Sequence, residues 1–485
     1  MKKTLFPANK FICFSLLICA LMVNCKKNLT ETPYSFLGEA DSYKTAADAV
    51  TAVNAVYDRL RTFYGMPMLL LSDLNADDMT IRADGGASSV ELDQNTYTAA
   101  NGTFDGLYTN TYLFIDRANR VIKNVPQITM DAAQKTKIVG EAKFLRALGY
   151  FNLVRAFGSV PLVISPTTDV VNVAIARVSA DSIYAQIIND LKDADNAALP
   201  AKYTAAGEVG RATSGAVKSL LAKVYLTRKD WTNAAAKAKE VIDAGNYSLF
   251  PDYKDIFIPE NKNGREHIFS AQYSCVKNSY GSAMGLNFAI FFSWPVQQSG
   301  GSCQADENFA ASYETGDYRK KVTIITQKVN PATGALVLSR TGSHVDKYWD
   351  PAPCGLDQAR NNFMVIRYAD VLLMYAEALN ELSGPVADAY SAINQVRTRA
   401  RNGDATANPQ NLAGLTKEQF RDAVANERKW ELCFEGHRRW DLLRTDKYVT
   451  TLQAAGLPAQ AKNLVYPIPQ NERDVNSALT QNDGY

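Results

Sequence analysis

The chain has 485 residues, of which 46% are hydrophobic and 21% charged, and these values exclude a disordered or fibrous protein. Lysine and arginine together number 52 and aspartate and glutamate 50, so the charge balance argues against a dedicated nucleic-acid-binding protein. Only three histidines occur, so a zinc site built from histidine alone would need every one of them. We therefore predict no metal site and no nucleic-acid partner.

The chain begins with a predicted secretory signal peptide over residues 1–24. Three lysines give this segment a positive start, and an apolar run follows over residues 11–23. The run is shorter than the ~20 apolar residues that span a bilayer. Because Cys25 comes directly after it, we predict a lipoprotein processing site with the lipid on this cysteine. The alternative is ordinary signal cleavage nearby, with Cys25 incidental.

Helical periodicity dominates the remaining sequence and predicts a mainly α protein. The stretches predicted to form helical repeats are 41–63, 104–157, 181–245 and 367–436. Thr416 and Gln419 fit a capping box at the start of a helix in the last stretch. Strand-like sequence is scarce. Residues 322–329 and 335–339 flank a turn and are predicted to form a hairpin.

Two segments have a more specific helical pattern. Residues 215–245 read as two helices in which large and small residues alternate, as in the tetratricopeptide repeat of about 34 residues. Residues 367–400 form a looser second copy. Two copies are fewer than a free-standing array requires, so we expect them to pack against other helices. Between them, residues 246–366 are predicted to form long irregular loops, where binding usually occurs.

Four cysteines follow the predicted lipidation site. They are Cys275, Cys303, Cys354 and Cys433, and no C-x-x-C spacing suggests zinc binding or redox chemistry. Cys303 and Cys354 lie in loop-like sequence and are candidates for a disulfide in an exported protein. Four cysteines allow three pairings, and the sequence does not choose among them. Cys433 lies in a helical pattern and is interpreted as a small core residue.

Several of these elements carry recognisable sequences. They are FLRALGYFNLVRAFGSVP at 144–161, RYADVLLMYAEALN at 367–380, the Glu- and Arg-rich segment at 427–442, and the tail at 466–485. Together they resemble the SusD/RagB-like nutrient-binding lipoproteins of the outer membrane. The resemblance runs in order from about residue 30 to the end. It implies a SusD-like fold over residues 25–485, a tetratricopeptide-like helical-repeat scaffold with long irregular loops and a few short strands.

The resemblance also implies a function and a location. Proteins of this family capture a glycan at the cell surface and deliver it to a SusC-like TonB-dependent transporter. A peptide is the alternative ligand, and a tetratricopeptide assembly scaffold without a small ligand is the alternative from another class. The implied location is the outer membrane, with a lipid anchor and the protein facing the cell exterior. Lys26 and Lys27 stand where acidic residues often follow the lipidated cysteine of exported members. The sequence therefore does not decide which leaflet of the outer membrane holds the anchor.

Candidate catalytic groups are few, and we predict no enzyme activity. Glu427, Glu431 and Glu435 fall on one helical face, and acid pairs can carry out glycoside hydrolysis. Arginines nearby in sequence favour carboxylate–guanidinium pairing instead; they are Arg428, Arg438, Arg439 and Arg444. His437 has no H-E-x-x-H partner and is interpreted as structural. The sequence contains neither a G-x-G-x-x-G motif nor a P-loop, and we predict no cofactor.

Aromatic side chains are the most informative candidates for ligand binding. A sugar ring stacks its apolar C–H faces on aromatic rings, and its hydroxyls need amides, carboxylates or arginines nearby. The predicted ligand-binding residues are Trp294, Tyr280, Tyr97, Asp78 and Arg82. Trp294 is the preferred stacking platform because it lies in a loop near Tyr280 in sequence. The alternative is that Trp294 fills the core.

Overall fold

The computed structural model describes residues 42–167, 174–276, 280–296 and 300–485. The predicted signal peptide, Cys25 and the two lysines that follow it lie outside the described residues. Helices dominate the described chain, which confirms the mainly α prediction. None of these helices is both long enough and apolar enough to cross a bilayer, within the ranges just given.

The first half of the chain contains the longest helices. Their bounds, with those of the short helices between them, are α1 Ala46–Asp58, α2 Met66–Leu69, α3 Ala87–Asp93, α4 Gly102–Asn124, α5 Ala132–Phe157, α6 Ala180–Asn196, α7 Ser214–Thr227 and α8 Trp231–Asp243. In the second half they are α9 Met284–Phe288, α10 Glu307–Ala311, α11 Tyr318–Thr323, α12 Tyr368–Ser383, α13 Ala387–Ala400, α14 Lys417–Glu431, α15 Arg438–Arg444, α16 Tyr448–Ala454 and α17 Gln470–Val475.

Local sequence signals set the starts of several helices. Thr45 and Asp48 form a capping box at α1, and the box predicted from Thr416 and Gln419 is confirmed at α14. Each box satisfies backbone N–H groups that the first helical turn leaves without partners, and a cap of this kind contributes about 1 kcal/mol. The capping residues therefore fix where the apolar face of each helix begins.

The two predicted tetratricopeptide-like copies are helix pairs that contact each other. Residues 215–245 correspond to α7 and α8, and residues 367–400 to α12 and α13. Helix α12 packs against α8 and α13, so both pairs share one apolar core. The long helices α4, α5 and α6 extend that core. A Cβ added at Gly140 in α5 would lie 2.4 Å from the Cβ of Ala197, so this glycine permits the close approach of α6.

The strands form small two-stranded antiparallel ladders. Their bounds are β1 Met79–Ile81, β2 His267–Ala271, β3 Cys303–Ala305, β4 Ile324–Ile325, β5 Gln327–Val329, β6 Leu336–Leu338, β7 His344–Val345 and β8 Phe363–Arg367. The pairs are β1–β3, β2–β8, β4–β7 and β5–β6. The predicted hairpin is confirmed as β5–β6, with Val329 opposite Leu336. It is shorter than predicted, because residues 322 and 323 belong to α11 and Ile324–Ile325 form β4, which pairs with β7.

The structure selects one of the pairings that the sequence left open, and it is not the candidate bond between Cys303 and Cys354. Cys354 bonds to Cys275, with Cα atoms 5.6 Å apart, and not to Cys303. Cys303 is buried in β3 because that strand pairs with β1, so it is not the loop residue that its sequence suggested. Cys433 is a buried free thiol, as predicted. It lies in a turn just beyond the end of α14, not inside the helix.

Candidate functional site

Glu431, one of the possible catalytic acids, lies in a buried network of charges. Its carboxylate accepts hydrogen bonds from Arg319 at 3.1 Å, from Arg367 at 2.5 Å and from Arg399. Burial alone would raise the pKa of Glu431, but the positive charges of the three arginines outweigh that effect and hold the pKa well below its usual range. A carboxylate held ionised in this way is a poor proton donor near neutral pH. The interpretation as structural pairing is confirmed for this residue.

The other two glutamates have similar partners. Glu427 accepts from Arg319 at 2.5 Å and from Arg397 at 2.8 Å. Glu435 accepts from Lys347 at 2.8 Å and also pairs with an arginine of the network. The predicted partners were wrong, because the arginines adjacent in sequence have acceptors elsewhere: Arg428 binds Asp370 and Asp441, Arg438 binds Asp77, Arg439 binds Asn75, and Arg444 binds Glu377 and Asp441.

Trp294 was predicted to be a stacking platform, and the structure buries it. Its side chain is 1% exposed and packs against Leu286 and Ala289. The ring also meets Trp349 edge to face, with centroids 5.6 Å apart. A ring enclosed in this way offers no face to a ligand in the described conformation. The alternative reading, a core-filling tryptophan, agrees with this placement, so we build the candidate site on other residues.

Three further predicted residues are buried or half-buried. Tyr97 is buried, with its ring 5.1 Å from that of Phe104 in an edge-to-face contact. Asp78 is completely buried, and burial raises its pKa well above the usual range. Tyr280 is half-buried beneath the guanidinium of Arg61, which lies 3.9 Å from the ring centroid. The structure does not bring these three together with Trp294 in one cleft.

Arg82 is the predicted residue that lines an open cleft, with a volume of about 720 Å³. We call it the aromatic cleft. Its walls come from the end of β1, the loop after α9, and the segment from β6 to β7. The lining residues are Arg82, Ile290, Phe291, Phe292, Leu336, Val337, Leu338, Ser339, Arg340, Thr341 and His344. The cleft thus combines aromatic rings, guanidinium groups and hydroxyl groups.

Two adjacent phenylalanines give the cleft its character. Phe291 and Phe292 are each 40% exposed, and their ring centroids are 4.1 Å apart at an angle of 62°. Phe292 has a φ of +68°, a left-handed conformation that costs a bulky residue roughly 1–3 kcal/mol. The amide of Asn330 in the hairpin turn donates a 2.9 Å hydrogen bond to the carbonyl of Phe292 and holds this conformation. Strained residues of this kind cluster at binding sites.

The polar groups of the cleft are fixed by β-strand pairing. The backbone N–H of Arg82 donates to the carbonyl of Ser302 at 2.9 Å, which extends the β1–β3 ladder. The guanidinium of Arg82 pairs with Asp84 and lies 5.3 Å from the ring centroid of Phe291. His344 is buried on the inner side, with Nδ1 3.1 Å from the carbonyl oxygen of Phe288. Burial lowers the pKa of His344, so this wall carries no histidine charge at neutral pH.

A second open cleft lies beside the C-terminal residues. Its volume is about 850 Å³, and none of the described residues that line it is aromatic. Its arginine, Arg177, donates to the carbonyl oxygen of Thr480 at 3.0 Å and also binds Asn482. In the described chain, no group of three or more His, Cys, Asp or Glu side chains is arranged to hold a metal ion. The aromatic cleft is therefore the stronger candidate for a ligand site.

Phe291 and Phe292 were not among the ligand-binding residues predicted from the sequence. A usable signal was present, since two adjacent large rings lie in a segment rich in glycine and serine without helical or strand periodicity. Such rings have no regular element to bury them. Trp294, two residues after Phe292 in the same loop, was predicted as the stacking platform instead.

Sequence models of two families match the chain. The SusD family matches residues 330–485, and a family described as starch-binding and associating with the outer membrane matches residues 41–226. A SusD-like protein of Formosa agariphila is 30% identical, and the match covers 98% of this chain and 99% of that protein. A second SusD-like protein of the same organism is 26% identical over 98% of this chain and 96% of its own length.

Solved structures have the same fold. A laminarin-binding SusD-like protein superposes with a TM-score of 0.78 at 28% identity, covering 91% of this chain and 100% of that chain. A SusD homologue of Bacteroides thetaiotaomicron gives a TM-score of 0.82 at 25% identity, covering 92% of this chain and 98% of that chain. These structures share the helical scaffold with its few short strands.

Proposed function

The chain belongs to the SusD family, and from this membership we propose that it is a cell-surface protein that binds an oligosaccharide in the aromatic cleft. The observation that carries the proposal is the exposed pair of Phe291 and Phe292. Exposed apolar surface and a strained backbone are both features that mark binding sites.

The chemistry of the cleft suits a sugar. The apolar C–H faces of a pyranose ring can stack on the rings of Phe291 and Phe292. The guanidinium of Arg82 and the hydroxyls of Ser339 and Thr341 line the same cleft and can hydrogen-bond to sugar hydroxyls. The solved SusD-like structure that is named for laminarin binding supports an oligosaccharide ligand over a peptide. Binding without catalysis agrees with the buried, ion-paired state of Glu431.

We extend the proposal to location and partner. Residues 1–24 would be a signal peptide and residues 25–485 one ligand-binding domain, held in the outer membrane by a lipid on Cys25. The bound glycan would pass to a SusC-like TonB-dependent transporter. The family description "associating with outer membrane" supports the membrane assignment. Cys25→Ser should move the protein from the membrane fraction to the soluble fraction; a variant that still pellets after a carbonate wash would contradict the lipid anchor.

The glycan site can be tested by isothermal titration against a panel of oligosaccharides that includes laminarihexaose, with peptides of similar size in parallel. Truncating one ring of a central contact typically costs about 2 kcal/mol, so Phe291→Ala or Phe292→Ala should weaken binding roughly 30-fold. Leu113→Ala is the control, since Leu113 is a similarly exposed apolar residue, at 45%, that does not line the cleft. Tight binding of peptides with no binding of any oligosaccharide would refute the proposal.

A further inference from the structure

This inference rests on the glycan-binding function proposed above and concerns which glycans the site takes. We propose that the aromatic cleft prefers oligosaccharides that carry carboxylate or sulfate groups over neutral oligosaccharides. The shared chemistry is a sugar with anionic oxygens placed within reach of two guanidinium groups.

The charged residues that line the cleft are all positive. Arg82 and Arg340 line the cleft, and none of the described lining residues is an aspartate or glutamate. His344 adds no negative charge in either of its protonation states. A concave surface with one sign of charge concentrates ligands of the opposite sign, and this effect weakens as salt is added.

Both arginines are available to a ligand. The ion-pair partner of Arg82 is Asp84, whose side chain is 67% exposed, and an ion pair so open to water is weak. An anionic ligand can therefore replace Asp84 at little cost. The guanidinium of Arg82 also donates a long hydrogen bond, 3.4 Å, to the carbonyl oxygen of Gly300. Arg340 is exposed, and within the part of the chain that the structure describes it forms no hydrogen bond or ion pair. Its guanidinium is free to bind a carboxylate or sulfate through two parallel hydrogen bonds.

The acid that contacts the turn before β7 is already engaged. Glu307 accepts hydrogen bonds from the backbone N–H of Ser343 at 2.8 Å and from its hydroxyl at 3.2 Å. Both carboxylate oxygens of Glu307 therefore accept hydrogen bonds from the turn before β7. This matters because the hydroxyls of a neutral sugar are donors as well as acceptors, and carboxylates are strong acceptors for them. The described residues that line the cleft offer guanidinium donors and no carboxylate, which favours a ligand rich in acceptors.

The test compares probes with the same sugar backbone that do or do not carry anionic groups. One pair is a hexamer of galacturonic acid and its fully methyl-esterified form; the other is sulfated laminarihexaose and laminarihexaose. Each is titrated against the parent protein, Arg340→Gln, and the control Arg265→Gln, which removes an exposed guanidinium that does not line the cleft. Melting curves establish that the variants are folded. The two pairs separate carboxylate from sulfate as the preferred group.

We expect at least one anionic probe to bind the parent ten-fold or more tightly than its neutral form at low salt. That ratio should fall towards one in Arg340→Gln and at high salt, and it should persist in Arg265→Gln. If the neutral probe binds equally well and still depends on Phe292, the charge preference is refuted while the proposed glycan site stands. If no anionic probe binds the parent while a neutral oligosaccharide of the wider panel does, the charge preference is refuted; if no oligosaccharide binds and peptides do, the proposed glycan site fails with it. A preference that survives Arg340→Gln unchanged also refutes the inference.

Discussion

Replacing Glu431 by glutamine is the most demanding test of how this scaffold is held together. The carboxylate is completely buried and is the meeting point of Arg319, Arg367 and Arg399. Glutamine has nearly the same shape, so the change removes charge with little change in volume. It leaves three buried guanidiniums sharing fewer carboxylates, and an uncompensated buried charge is costly.

The expected loss can be stated as a free energy and as a temperature. Removing one partner of a buried ion pair typically costs about 3–5 kcal/mol. Unfolding entropy is about 2.1 cal/mol/K per residue, so a folded chain of about 450 residues has an unfolding entropy near 0.9 kcal/mol/K. The melting temperature of Glu431→Gln should therefore fall by about 3–5 °C at pH 7. Glu418→Gln, an exposed position on the same helix, should change it by less than about 1 °C.

The dependence on pH has a definite sign. The arginines hold the pKa of Glu431 below its unfolded value, which is about 4.3 for glutamate. Folding therefore gains stability from this group above the unfolded pKa and loses it as the pH falls towards the folded pKa. In thermal or urea unfolding, the difference in stability between the parent and Glu431→Gln should be largest at pH 7 and should decrease below about pH 4. A loss of stability at pH 7 that is no larger for Glu431→Gln than for Glu418→Gln would refute a stabilising network.

Three further changes test other parts of the structure. Trp294→Ala should destabilise the protein by about 3–5 kcal/mol in urea unfolding, because it empties a buried site; full stability with lost glycan affinity would instead place this ring in the ligand site. Phe292→Gly should unfold at a higher temperature than Phe292→Ala, because glycine adopts a φ of +68° without strain, and equal melting temperatures would remove the strain argument. Cys275→Ser should lower stability by about 2–4 kcal/mol, since its bond to Cys354 spans 79 residues; a reducing agent should reproduce the loss in the parent and leave the variant unchanged.

The helices were predictable because their causes are local. Apolar spacing and capping residues such as Thr416 act within one or two turns, and the structure confirms the helices that they indicated. The hairpin β5–β6 was predictable for the same reason, since its turn lies between two short apolar runs. The exact end of α11 was missed because the cap from Asp317 lies before the segment that read as a strand.

Long-range partners were not predictable from sequence. The guanidiniums around Glu431 come from α11, β8 and α13, which are separate in the chain and meet only after the helices have packed. The same holds for the bond between Cys275 and Cys354, because chemistry allowed three pairings and only the fold selects one. The resemblance of whole segments to a known family carried more information about fold than any single pairing argument.

The loop after α9 explains why the sequence-based prediction chose Trp294, which the structure buries, over the two exposed phenylalanines. A loop has no repeat that tells which side chain faces water, so Phe291, Phe292 and Trp294 are equivalent in sequence terms. The largest ring gains most from burial, and Trp294 takes the inward position. That burial can offset the roughly 1–3 kcal/mol of strain at Phe292 and keep the smaller rings exposed. The buried tryptophan thus anchors the loop, and its phenylalanine neighbours stay exposed in the aromatic cleft.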